Sequence, residues 1–158
     1  MKIRKYQESD RESLVDITLR AWKPVFEGLS TAISPNIYEV FVPDWQAEQM
    51  RTLDTICGSD EIDKNVAVED DIIVGFAAAS YHPEDFLGQV YIVGVDPNHR
   101  RKGIATQLTE ECLRMIKAKG LDLAMVETGG DPGHAAARAT YESMGFENFP
   151  VCRYLKRI

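Results

Sequence analysis

The sequence predicts a single α/β domain (α+β, strands and helices sharing one core), and three stretches predict it. Val66, Val68, Ile72, Val74 and Phe76 fall at two-residue spacing around the acidic turn Glu69-Asp70-Asp71, the pattern of a β-hairpin. Gln89 to Val95 is apolar on both faces, as a strand buried inside a sheet would be. Ile104, Leu108, Cys112, Met115 and Ile116 then share one helical face, with Gln107, Glu110, Arg114 and Lys117 opposite. At 158 residues, with no repeat or linker, the chain reads as one domain over residues 1–158.

The remaining elements follow in order. A short opening strand precedes Ser9-Asp10-Arg11-Glu12, an S-x-x-E capping box that places a helix start at Ser9. Leu14, Ile17, Ala21 and Val25, flanked by Trp22 and Phe26, form its apolar stripe, and Gly28 is the expected stop. Pro35 and Pro43 bracket Tyr38, Phe41 and Trp45, read as one or two short helices packed on the core or as the wall of a pocket. His82-Pro83-Glu84-Asp85 is a loop, and Asp96-Pro97-Asn98 ends the buried strand. Gly120 stops the 104–116 helix, with Lys117 and Lys119 at the negative end of its dipole. Leu121 to Thr128 is the next strand, Gly129 to Gly133 a loop, and His134 to Met144 a short helix ending at Gly145. Phe146 to Lys156 is expected to close the sheet.

Composition narrows the function. Eighteen Lys and Arg against 25 Asp and Glu leave a net charge of −7, which opposes nucleic-acid binding, because that affinity comes mostly from cations replacing counterions on phosphates. Cationic partners, amines among them, are favoured instead. Cys57, Cys112 and Cys152 are odd in number and widely spaced, so they suggest neither a disulfide framework nor a metal site, and they fit a reducing compartment. No stretch approaches the roughly 20 apolar residues of a membrane span, and a cytoplasmic location is expected.

The segment richest in chemistry is Asp96-Pro97-Asn98-His99-Arg100-Arg101-Lys102-Gly103-Ile104-Ala105, between the buried strand and the amphipathic helix. The first turn of a helix offers amides without internal partners and a partial positive charge, and a small-residue loop there lets a phosphate approach the backbone. The patterns G-x-x-x-x-G-K-[ST] and G-x-G-x-x-G are absent, so the two large nucleotide-binding loop classes drop out. Arg100 to Ala105 resembles the R-x-x-G-x-A signature of the GNAT superfamily of N-acetyltransferases. A second segment, Ala137-Arg138-Ala139-Thr140-Tyr141-Glu142-Ser143-Met144-Gly145-Phe146, is similar to that family's later A-x-x-x-Y-E-x-x-G-F stretch, in the same order. The resemblance covers most of the chain, and residues 29–60 are its least matched part.

It implies a GNAT-like mixed, mostly antiparallel central sheet flanked by helices, and acetyl-CoA as cosubstrate with no metal. The loop made of Arg100, Arg101, Lys102, Gly103, Ile104 and Ala105 would hold the pyrophosphate, Gly103 for want of a side chain. The backbone of Val93 and Val95 would pair with the pantetheine arm, and the Val95 amide would face the thioester oxygen, where attack by an amine builds negative charge. Tyr141 would protonate the departing thiolate, and Ala137 would lie beside the cofactor. The chain departs from the pattern where many members have Asn, seven residues before the tyrosine: here stands His134, which can cap the following helix or reach the CoA arm or the substrate.

An amine with a pKa near about 10.4 is protonated at neutral pH, so a base or a water relay must act before attack. Glu127, near the end of its strand, is the first candidate; Asp131, His134, Glu84 and Asp85 follow. Trp22, Phe26 and Tyr38, with Phe41 and Trp45, are the expected wall for the acceptor, suited to a cation if carboxylates stand beside them. The reading is acetyl transfer to a small-molecule primary amine by direct attack in a ternary complex. Its rivals are an acyl-CoA-binding regulatory module without chemistry and an acetyltransferase acting on protein amines. A homodimer through an edge strand at Val151 to Lys156 is a further expectation.

Overall fold

The computed structural model describes residues 1–158. Five strands, β1 (Lys2–Lys5), β2 (Asp63–Glu69), β3 (Ile72–His82), β4 (Leu87–Val95) and β5 (Leu123–Val126), form one sheet in that order. Every pairing is antiparallel except β4 with β5, which is parallel. The chain reaches β5 through α4 (Ile104–Ala118), the kind of crossover a parallel pair requires. The β2–β3 turn places Asp70 and Asp71 at φ 51° and 61°, the two left-handed positions of the hairpin turn whose twist matches its strands.

Helices cover both faces. On one, Leu108, Cys112 and Ile116 of α4 pack on Ala67, Ala77, Ala79 and Val90. On the other, Leu14 and Ile17 of α1 (Arg11–Ala32) and Leu53 of α3 (Trp45–Gly58) enclose Val66 and Phe76. Full burial of each Leu, Ile, Val or Phe among them contributes about 1.5–3 kcal/mol, so these two layers hold the strands that carry the site. α2 (Pro35–Phe41) buries no residue, and α5 (Ala135–Ser143) follows β5.

Three sequence expectations are corrected. The first helix starts at Arg11, after a 3₁₀ turn over Glu8–Asp10, and Asp10 rather than Ser9 fixes that turn: its Oδ2 accepts from the Gln7 amide at 2.8 Å and pairs with Arg4 at 2.6 Å. That helix also runs through Gly28 to Ala32, because a mid-helix Gly costs only about 1 kcal/mol. Pro35 terminates it by forcing the preceding Ser34 into an extended conformation, ψ 145°. Finally, residues 146–158 form no strand. Pro150 has no amide to donate to a ladder, and Phe149, Val151 and Tyr154 lie exposed, so the edge strand expected to support a dimer is not formed. The ends of the fifth strand differ less: β5 is confined to Leu123–Val126, inside the expected 121–128.

Candidate active site

The site begins where β4 and β5 part. Their pairing runs only from Leu87 with Leu123 to Val90 with Val126, while β4 continues to Val95. At the same point the β3–β4 register slips, from Ala79 opposite Val90 to Ala78 opposite Ile92, which leaves Tyr91 as a bulge residue. A bulge bends its strand and strengthens the local twist, so β4 turns away from β5 there. The Asp96 amide donates to the Val74 carbonyl on the β3 side at 2.9 Å. Successive strand amides point to opposite edges, so those of Val95 and Val93 face the open edge.

Beyond Val95 the chain enters α4 through a loop shaped around its own amides. Arg101 has φ 67° and Gly103 φ 74°, two left-handed positions flanking Lys102 just before α4. The left-handed conformation costs a non-glycine residue roughly 1–2 kcal/mol, which Arg101 sustains and Gly103 escapes. The first intrahelical bond is from the Gln107 amide to the Gly103 carbonyl, 3.1 Å, and no side chain caps the helix. The amides of Ile104, Ala105 and Thr106 are therefore free at the positive end of the α4 dipole.

The loop is anchored from outside. Asp96 accepts from the Asn98 amide at 2.8 Å and from both terminal nitrogens of Arg20 at 2.8 and 3.0 Å, which ties the end of β4 to α1. The Arg20 guanidinium outweighs burial and holds the Asp96 carboxyl at about 2, below the ordinary carboxylate value. Lys102 pairs with Glu69 at 2.7 Å.

A cavity of about 540 Å³ joins these features. Val93, Val95, Arg100, Arg101, Gly103, Ile104 and Ala105 line it on the β4–α4 side, His134, Ala137 and Tyr141 on the α5 side, and Trp22 on α1. Burial pushes the Tyr141 hydroxyl up to about 12, with Cys112 adding to the rise, so it keeps its proton at neutral pH. Its ring packs edge-on against Phe146 at 5.8 Å, with 67° between the planes.

Other expected site residues stand elsewhere. Lys102 is exposed and held by Glu69, outside the lining. Glu127 is exposed just beyond the end of β5 and is not part of the cavity wall. Phe26 stacks on Trp45 at 5.0 Å, and Tyr38 donates to the Phe26 carbonyl at 3.3 Å, so these aromatics brace α1 against the helices that follow it and do not line the cavity. No Asp or Glu lines the cavity. Ala21, Val25, His99, Thr106 and Thr140, which sequence reasoning did not select, do line it. Ala21 and Val25 belong to the apolar stripe on α1 and His99 to the segment before α4; nothing local in the sequence marks Thr106 or Thr140.

An uncapped helix N-terminus beside an unpaired strand edge is the class of site that suits a phosphate-bearing, extended ligand. The comparisons agree with that class. The acetyltransferase (GNAT) family model matches residues 32–146, and the chain belongs to that family. It is 36% identical over 81 residues to the mycothiol acetyltransferase of Streptomyces coelicolor, a match covering 51% of this chain and 26% of that protein. With the mycothiol acetyltransferase of Thermomonospora curvata it shares 32% identity over 107 residues, 68% of this chain and 35% of that one. The chain thus spans about a third or less of these curated relatives. Among solved structures, it shares the fold of an aminoglycoside 6'-N-acetyltransferase from Acinetobacter haemolyticus (TM-score 0.71, 18% identity, 100% and 99% of the two chains). It also shares that of the PaiA N-acetyltransferase from Thermoplasma acidophilum in complex with coenzyme A (TM-score 0.69, 18% identity, 92% and 89%).

Proposed function

We propose that this chain is an acetyl-CoA-dependent N-acetyltransferase whose acceptor is a small-molecule primary amine. The observation that carries this reading is the continuity of one cavity from the uncapped α4 N-terminus, along the open edge of β4, to Tyr141. The residues present suit the cosubstrate: free amides of Ile104, Ala105 and Thr106 for its pyrophosphate, and a free strand edge for its pantetheine arm. Arg100 and Arg101 add charge beside the phosphates.

In the reaction the Val95 amide donates to the thioester oxygen, where a fixed donor lowers the barrier by about 3 kcal/mol. Tyr141 gives its proton to the sulfur that leaves, a role that a hydroxyl protonated up to about pH 12 performs at neutral pH. Ala21, Trp22 and Val25 make an apolar wall on the opposite side. A cavity of about 540 Å³ that must also admit the end of the pantetheine arm leaves room for a compact acceptor, which favours a small molecule over a folded protein. The mycothiol and aminoglycoside acetyltransferases to which the chain is similar act, by their names, on small molecules.

Calorimetric titration with acetyl-CoA, with desulfo-CoA and ATP as controls, tests the site. Micromolar binding that requires the pantetheine arm is expected, followed by the gain of one acetyl group on an acceptor amine in mass spectrometry. Absence of acetyl-CoA binding would refute the reading.

A further inference from the structure

We propose that Asp131 and His134 form the proton-accepting pair of this site: His134 Nε2 takes the proton from the acceptor's ammonium group while Asp131 holds the ring. This rests on the acetyl-transfer reading above and supplies the base that it lacks.

The ionisable groups lining the cavity are His99, Arg100, Arg101, His134 and Tyr141. Guanidinium groups do not accept protons, and Tyr141 is held in its protonated form. That leaves two imidazoles. His99 belongs to the phosphate cradle: it directly precedes Arg100, and its ring nitrogens face Asp96 at 3.7 Å and Glu69 at 3.9 Å. His134 lies at the other end. The turn that ends in it packs on α1, where a Cβ on Gly133 would stand 3.1 Å from the Val25 Cα, and Trp22 and Val25 line the same cavity. His134 is the N-cap of α5, seven residues before Tyr141, and both side chains line the cavity.

His134 Nδ1 lies 2.6 Å from Asp131 Oδ1, and the Asp131 side chain is only 11% exposed. Burial works to raise the Asp131 pKa, but the hydrogen bond and charge of His134, with nearby backbone amides, bring it below the ordinary value. An ionised carboxylate only accepts, so Nδ1 carries a ring proton, and in the neutral ring this leaves the lone pair on Nε2, where a general base needs it. Arg138 clamps the loop, its Nη1 donating to the carbonyls of Gly129 at 2.6 Å and Asp131 at 2.8 Å. Gly129 is a matter of space: a Cβ there would fall 2.2 Å from Asp131 Oδ1 and 2.4 Å from His134 Nδ1. Asp131 Oδ2 is buried with no hydrogen-bond partner, a cost of about 1–3 kcal/mol that helix capping alone does not explain.

The protons balance. An ammonium ion and acetyl-CoA become an amide, CoA thiol and one free proton. The first nitrogen proton passes to Nε2 and on to solvent. The freed lone pair forms the C–N bond as the C–S pair departs on sulfur, Tyr141 protonates the sulfur, and the second nitrogen proton restores the Tyr141 hydroxyl.

The test compares two probes at pH 7, ethylamine, which is protonated there, and hydroxylamine, which is largely the free base. His134→Ala should keep its acetyl-CoA dissociation constant within about threefold by calorimetry, yet lose about 100-fold in kcat/KM with ethylamine and little with hydroxylamine. Added imidazole should restore part of the ethylamine rate. Asp131→Asn and Gly129→Ala should show the same acceptor dependence, weakened. In ¹⁵N spectra of the wild-type histidine side chains, His134 should appear as the Nδ1–H tautomer and lose that preference in Asp131→Asn. Equal losses with both amines and no response to imidazole, unchanged ethylamine transfer, or a wild-type Nε2–H tautomer would each overturn the assignment while leaving acetyl-CoA binding intact. A wild-type protein that binds no acetyl-CoA would overturn the reading of the whole site and this assignment with it.

Discussion

The turn from β4 into α4 and the turn from β5 into α5 leave the same end of the sheet and open on the same cavity, because β4 and β5 are parallel. The first presents backbone: Arg101 and Gly103 in left-handed conformations, then the unbonded amides of Ile104, Ala105 and Thr106. The second presents side chains: Asp131 and His134 bonded to each other, Arg138 clamping the loop carbonyls, and Tyr141 two turns on. A cradle of amides depends on conformation and little on which side chains decorate it, whereas a turn that presents ionisable groups depends on their identity. The two turns should therefore fail differently under substitution.

The largest effect is expected on the side-chain turn. Tyr141→Phe should lower kcat about 100-fold while leaving acetyl-CoA affinity within about twofold, in steady-state kinetics paired with calorimetry. Unchanged turnover would remove Tyr141 from the reaction and leave the second turn without an acid. The same residue sets a pH expectation. Its hydroxyl titrates near pH 12 when folded and near 10 when unfolded, so stability is unaffected by this group below pH 10 and is lost as pH rises from about 10 to 12, where the unfolded chain has released the proton and the folded one has not. Denaturant titrations across that range would show it, and Tyr141→Phe should lessen the fall.

On the backbone turn, Gly103→Val should weaken acetyl-CoA binding at least tenfold, because a β-branched residue at φ 74° displaces the amides that follow. An unaltered dissociation constant would place the pyrophosphate elsewhere. Asp96→Ala should cost about 2 kcal/mol of folding stability, since it removes the Arg20 pair and the Asn98 amide's acceptor together. The smallest effect is expected for Lys102→Ala, whose exposed pair with Glu69 contributes about 0–1 kcal/mol. It should change acetyl-CoA affinity only a few-fold, and less still at high salt. A large loss there would mean that the first turn also works through side chains.

Much of the scaffold was legible because it depends on local periodicity. The two-residue spacing from Val66 to Phe76, the doubly apolar stretch before Asp96 and the stripe from Ile104 to Ile116 each report which faces of an element must leave water, and all three elements formed where that pattern placed them. The α4 loop was legible for a related reason: a glycine at the mouth of an amphipathic helix leaves amides free whatever lies around it.

Tertiary structure decided the remainder. Phe26 and Tyr38 were as plausible a cavity wall as Trp22 until packing turned Phe26 onto Trp45, since aromatic side chains bury their area against whatever surface arrives. Glu127 lost its place to geometry: β5 ends at Val126 and leaves the carboxylate outside the cavity. The expected closing strand carries Pro150, which has no amide to donate to a ladder, a feature that alternation of apolar residues does not report. Likewise the bond between Asp131 and His134 is three residues long in sequence, but its approach to Val25 and Trp22 exists only because α1 crosses that turn. Sequence by itself determined which segments are strands and helices and where an anion can meet free amides, because those follow from neighbours along the chain. Which ionisable groups share a cavity was set by how the helices pack across the sheet, since that proximity is a property of distant segments brought together.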